Sequence, residues 1–269
     1  MSMPFYVAPE QLMKDKADYA RKNIARGRPL IATIYDGGVL LAAENPSSTL
    51  RKISEIYDRI AFGAVGRFNE FDQLRVAGVR AADVKGYSYS REDVDARSLA
   101  NTYAQHLGQV FTHEMKPMEV EILVAEAGSP DGGGRDQLFH ILFDGTVFDE
   151  AHFSVLGGEA EAIHQRMKQS WTEGWDLATA LCAAVTALAG PERGLSAGDI
   201  EVAVLERSRP GRIFRRMDGA ELDGLLVPAP APAVPAPSAA GSESDEPGEP
   251  GGDDGDDEDH GHGGDPPDG

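Results

Sequence analysis

The sequence lacks most of what would assign it at sight to a disulfide scaffold, a membrane protein or a nucleic-acid binder. It has one cysteine, Cys182, in 269 residues, so no disulfide can form within the chain. No apolar run reaches the roughly 20 residues that a membrane-spanning helix requires. Met1–Val7 has neither the basic patch nor the long apolar stretch of a secretory signal. Aromatic residues make up only 7% of the chain, and no lysine or arginine occurs after Arg216. The formal net charge of −20 removes the basic surface that binding to nucleic acid demands. These absences lead to the expectation of a cytoplasmic protein with neither a membrane nor a nucleic-acid partner.

What is present divides unevenly. Twelve of the 45 acidic residues fall between Ser238 and Gly269, which leaves 33 acids against 25 bases in the rest of the chain. The run Pro228-Ala229-Pro230-Ala231-Pro232-Ala233-Val234-Pro235-Ala236-Pro237 removes backbone donors and fixes φ, which predicts an extended spacer. The Gly, Ser, Pro, Asp and Glu beyond it cannot bury enough apolar surface to offset the entropy of ordering the backbone. Residues 228–269 are therefore expected to be a disordered acidic tail. His260 and His262 sit among its acids, but a metal site needs ligands held at fixed geometry, so no metal and no cofactor is expected. The expected organisation is a short segment 1–8, a folded domain 9–227 opening with a helix at 9–26, and the tail 228–269.

Within the folded part, Met13, Ala17, Ala20 and Ile24 repeat at helical spacing between Pro9 and Gly27. Leu30–Tyr35 and Val39–Ala43, joined by Asp36-Gly37-Gly38, predict a hairpin with both faces covered. Strands are expected at 52–57 and 59–65, and helices at 68–84 (Phe71, Leu74, Ala77, Ala81) and 95–115 (Leu99, Tyr103, Leu107). Further strands are expected at 120–126, 137–143 and 146–156, and helices at 159–170 and 174–189. In the next segment Ile200, Val202 and Val204 alternate with Glu201 and Ala203, as in a strand. A strand at 211–217 and a helix at 218–226 close the domain. Helical pairs inserted between groups of antiparallel strands give an α+β, four-layer α-β-β-α sandwich, with one core between two sheets and one under each helical layer.

Several longer stretches are more specific than any short motif. They are Pro9-Glu10-Gln11 through Ile24-Ala25-Arg26-Gly27, Gly37-Gly38-Val39-Leu40-Leu41-Ala42-Ala43-Glu44-Asn45-Pro46, Lys52-Ile53-Ser54-Glu55-Ile56-Tyr57-Asp58-Arg59 and Gly66-Arg67-Phe68-Asn69-Glu70-Phe71-Asp72. On these the chain resembles the bacterial α-type subunits of the proteasome core particle over about residues 3–227. The resemblance implies the sandwich of the N-terminal-nucleophile hydrolase type. It also implies heptameric rings of this chain at the ends of a barrel whose inner, catalytic rings are β-type subunits. Further implied partners are a hexameric ATPase docking by its C-terminal tails and unfolded protein substrates in transit. The aromatic-rich gate motif of archaeal and eukaryotic relatives is absent; only Pro4, Phe5, Tyr6 and Val7 stand before the first helix. They form either an apolar plug at the ring axis or a frayed terminus. The mixed-charge face of the helix at 9–26 fits a solvated surface or a contact between ring subunits. The tail either tunes partner access or keeps the assembly soluble.

The resemblance also implies a subunit without catalysis of its own. The β-type reaction uses a threonine whose hydroxyl attacks and whose free amine acts as base. Laying the hairpins on each other puts Arg28-Pro29 at that position, and the helix at 9–26 precedes it. A stand-alone N-terminal-nucleophile hydrolase remains the alternative and would need self-cleavage at a suitable residue. Cys182 reads as a packed thiol, and His106, His113, His140, His152 and His164 share no spacing. Gly157-Gly158 before a helix lacks the Gly-Lys-Ser/Thr that would make it a phosphate cradle. Lys52 aligns with the lysine that activates the β-type threonine. In α-type relatives the matching lysine faces the C-terminal carboxylate of an inserted ATPase tail, with Gly27, Gly66 and Arg67 along the same pocket.

Overall fold

The structure, a computed structural model, describes residues 8–129 and 134–226. Pro4, Phe5, Tyr6 and Val7, the tail 228–269 and His260 and His262 lie outside the described residues.

The first helix, α1 (Pro9–Ile24), starts with proline in its first turn, where no backbone donor is lost. The hairpin strands β1 (Leu30–Tyr35) and β2 (Gly38–Glu44) follow, then β3 (Ile53–Tyr57) and β4 (Ile60–Gly66). Two helices, α2 (Phe68–Ser88) and α3 (Ala96–His113), lead to β5 (Val120–Glu126), β6 (Gln137–Ile141), β7 (Val147–Glu150) and β8 (Phe153–Leu156). After α4 (Ala160–Ser170) and α5 (Leu177–Ala189) come β9 (Ile200–Glu206), β10 (Phe214–Arg216) and α6 (Gly219–Leu226).

Among the described residues the strands form two five-stranded sheets, ordered β10-β9-β2-β1-β8 and β3-β4-β5-β6-β7, and every strand pair is antiparallel. Alternate residues of each strand then serve different layers. Leu30, Ala32, Leu41, Leu123 and Leu156 fill the space between the sheets. Ile31, Leu40, Val202 and Val204 meet α4 and α5 on one outer face, and Phe62, Ile122 and Val124 meet α2 and α3 on the other. The four-layer sandwich with three apolar layers is the architecture the periodicity predicts.

Three details differ from the sequence reading. The single strand expected over 146–156 is two strands in different sheets. β7 pairs with β6, while β8 pairs with β1 in the opposite sheet, and the chain crosses between sheets at Ala151-His152. On α2 the buried line runs through Phe71, Leu74, Gly78 and Ala82 rather than Ala77 and Ala81. It does so because α3 lies close enough that a Cβ on Gly78 would sit 1.7 Å from the Tyr103 hydroxyl. The strand expected over 211–217 contracts to Phe214–Arg216.

Candidate functional site

Three chain segments converge where α1 hands over to β1. Gly27 closes α1, its amide donating to the Ile24 carbonyl at 2.8 Å. A Cβ on Gly27 would lie 2.8 Å from Val65 Cγ1 and 3.5 Å from the Gly66 amide nitrogen. Gly66 ends β4 at φ +114°, and a Cβ there would lie 2.0 Å from the Glu119 carbonyl oxygen. A side chain at Gly66 would force the backbone of β5 to move, and one at Gly27 would displace the Val65 side chain. Lys52 enters from the start of β3. Its carbonyl accepts from the Ala64 amide at 3.1 Å, and its Nζ donates to the Arg28 carbonyl at 2.5 Å.

The Lys52 ammonium has no carboxylate partner among the described residues. The nearest acids are engaged elsewhere. Glu44 pairs with Arg28 at 3.5 Å and Arg193 at 3.1 Å, and Glu201 pairs with Arg216 at 2.6 Å. Burial, reinforced by the like charge of Arg28, pulls the Lys52 pKa down to about 8, against the smaller upward pull of Glu201 and Glu44. The site is thus a half-buried, single-point cation beside two glycines that let neighbouring segments pack closely.

Arg67 stands at the end of the same strand but is not free. Its amide donates to the Glu119 carbonyl at 3.0 Å, and its guanidinium reaches Glu119 Oε1 at 3.1 Å. Glu119 Oε1 also accepts from Lys116 at 2.8 Å and from the Tyr19 hydroxyl on α1 at 3.3 Å. The structure therefore brings Gly27, Gly66 and Lys52 together and turns Arg67 toward a separate charge cluster.

Sequence reasoning missed two residues that build this region. Glu201 falls on the polar side of an alternating strand, yet it is 3% exposed and accepts from Asn45 Nδ2, the Lys52 amide, the Ile53 amide and Arg216. Lys16 lies in the buried line of α1 with Ala20 and Ile24, and its Nζ donates to the Phe111 and Glu114 carbonyls at 3.2 and 2.7 Å. The four-residue spacing of Lys16, Ala20 and Ile24 was the available signal for it.

The other candidates are scattered. Pro29 directly precedes β1, and its carbonyl accepts from the Glu44 amide at 3.1 Å. Thr33, the one threonine of β1 and so the nearest hydroxyl to the Arg28-Pro29 position along that strand, is fully buried, with its hydroxyl on the Ile34 and His152 carbonyls at 3.4 Å. Lys52 contacts a carbonyl, not a hydroxyl. Cys182 Sγ contacts the Leu225 carbonyl at 3.5 Å, and burial pushes the thiol up. His140 sits 3.4 Å from Glu121, His152 stacks on Trp171 and His113 bonds within α3. Among the described residues no group of three or more His, Cys, Asp and Glu could hold a metal. Cβ atoms on Gly157 and Gly158 would meet Val65 and Pro29, so this pair makes a close turn. The groove of about 590 Å³ beside it carries Glu121, Glu159 and Glu161, which repel a phosphate.

Residues 24–205 match the family model described as Proteasome subunit. A protein of Acidimicrobium ferrooxidans named proteasome subunit alpha is 62% identical over 218 residues, covering 81% of this chain and 93% of that protein. Proteins of the same name from Xylanimonas cellulosilytica and Streptosporangium roseum are 57% and 55% identical, covering 82% and 90% of this chain and 95% and 93% of theirs.

Proposed function

The chain belongs to the proteasome subunit family, with relatives of the α type, and from that premise we propose that it is the non-catalytic outer-ring subunit of a cytoplasmic protein-degrading barrel. In this reading seven copies form a ring on a ring of β-type subunits that carry the active sites. The ring admits unfolded protein and receives the C-terminal tails of a hexameric ATPase.

One observation supports the docking step above the others. Lys52 is a half-buried ammonium held on a carbonyl, without a carboxylate of its own among the described residues, beside the point where Gly27 and Gly66 let the end of α1 and the end of β4 pack closely. An ammonium is a compact donor well suited to a terminal carboxylate. A charged hydrogen bond of this sort is worth about 1.5–3 kcal/mol, and several tails on one ring multiply the effect.

The test uses the assembled core of this chain and a β-type subunit, with a fluorescein-labelled peptide Gly-Ala-Leu-Ala-Leu as free acid and as C-terminal amide. The free acid should bind and the amide should not. Lys52→Ala should weaken the free acid about tenfold or more while rings still assemble by electron microscopy. Equal binding of acid and amide, or full binding by the variant, rejects the reading.

Met1–Ala8 is the proposed entry gate, with Phe5 and Tyr6 as its apolar part. Deleting residues 2–8 should raise hydrolysis of short peptides by the unassisted core. An unchanged rate would show that these residues do not obstruct the pore.

A further inference from the structure

Glu201 is the most heavily bonded carboxylate beside the site. Its Oε2 accepts from the Lys52 amide and from Asn45 Nδ2, each at 2.8 Å. Its Oε1 accepts from Arg216 Nη1 at 2.6 Å and the Ile53 amide at 3.2 Å. Arg216 also donates to the Ile53 carbonyl. A carboxylate on β9 of one sheet therefore grips the first residues of β3 in the other. Two of its four donors are the backbone amides of Lys52 and of the residue after it.

We propose that Glu201 is a positioning residue of the docking pocket: it fixes the backbone that carries Lys52 and offsets the Arg28 guanidinium, so that Lys52 faces an incoming terminal carboxylate as an ammonium. The proposal rests on the reading of Lys52 as the carboxylate receptor. The charged groups facing Lys52 are Arg28 from the loop before β1, Glu44 at the end of β2 and Glu201 from β9. Glu44 is shared between Arg28 and Arg193, and Glu201 is paired with Arg216. Burial and then Arg28 favour the neutral amine; Glu201 and then Glu44 favour the charged form. The terminal carboxylate of a tail needs the charged form, so the pH at which docking is lost reads out the balance of these groups.

That balance gives two variants of opposite sign. Glu201→Gln keeps the acceptor shape but removes the negative charge, so the pH midpoint for loss of free-acid peptide binding should fall by about one unit. Arg216→Gln leaves Glu201 un-neutralised, so the midpoint should rise. The measurement is fluorescence anisotropy of the labelled free-acid peptide on assembled cores between pH 6.5 and 9.5, with circular dichroism to confirm folding throughout. A purely structural role would weaken binding in both variants and leave the midpoint in place. Should Glu201→Gln fail to assemble, the upward shift in Arg216→Gln decides alone; an unmoved or lowered midpoint there overturns the proposal. Retained binding by Lys52→Ala instead sinks the pocket reading itself, a result independent of where the midpoints fall.

Discussion

Two groups of charges lie three residues apart along the end of β4, and they are built on opposite principles. Around Arg67 every charge has a partner. Arg67 and Lys116 share Glu119, Lys116 also holds Glu70 at 2.8 Å, and Tyr19 adds a hydroxyl. At Ala64, which bonds the Lys52 carbonyl, the neighbouring ammonium has, among the described residues, only a backbone oxygen. Burial would push Glu119 up and Lys116 down, but their mutual contacts win in both cases, lowering the acid and raising the base. At Lys52 burial wins. A cluster that resolves its own electrostatics contributes to the fold. A cation left without an anion costs stability, and in the proposed reading a ligand brings the anion.

The comparison breaks most visibly at Glu119, which is 5% exposed. Glu119→Gln leaves two cations competing for Glu70, and because Arg67 and Lys116 are themselves about half exposed the lost pairing costs about 1–2 kcal/mol. For a domain of this size thermal unfolding should occur about 3–6 °C lower, while peptide docking stays within about twofold. The stability Glu119 contributes is present above the ordinary glutamate range and is lost as pH falls through its lowered folded value. Parent and variant should therefore converge in melting temperature toward acid. An unchanged melting temperature near neutrality, or docking lost along with stability, would merge the two clusters into one functional unit.

How these clusters arise was only partly legible in the sequence. The layers were legible because β1, β2, β4 and β5 are nearly all apolar and α3 keeps a strict helical spacing, so each element declares its faces locally. The crossing between β7 and β8 was not, because its one local mark is the short Asp149-Glu150-Ala151-His152 interruption between two β-forming runs, and only the partner strands decide that the two runs join different sheets. Glu201 was misplaced for the same reason: alternation along β9 separates two faces, but it does not say that one of them meets the amides of β3. Lys52, Gly27 and Gly66 were named through family resemblance. Their shared location depends on the Lys52–Arg28 and Gly27–Gly66 contacts, which join residues distant in sequence. Arg67 was named with them, and its commitment to Glu119 is a tertiary fact that no local pattern encodes.

A smaller effect sharpens the contrast through pH. With a folded pKa of about 8 against an ordinary value of 10.5, Lys52 binds fewer protons folded than unfolded between those limits. Stability should therefore rise with pH across that window, the reverse of the usual lysine pairing. Docking should move the other way, because the competent fraction shrinks: free-acid peptide should bind about tenfold more weakly at pH 9 than at pH 7. Lys52→Met should abolish the rise in stability. Docking and stability that fall together above pH 8 would mean that Lys52 is paired in solution and that the two clusters do not differ.

The smallest expected effect lies at Tyr19. Its hydroxyl reaches Glu119 at 3.3 Å from a side chain on the half-exposed outer side of α1. Glu119 keeps Lys116 and Arg67 when that hydroxyl is removed, and Tyr19 regains water, so Tyr19→Phe should cost only about 0.5 kcal/mol. Melting temperature should drop by about 1–2 °C. The reason it should be small is that Lys16 already ties α1 to the end of α3 through the Phe111 and Glu114 carbonyls. A drop of several degrees would show that α1 is anchored through the Glu119 cluster instead, and that cluster would then join the Lys52 site to the helix that precedes it.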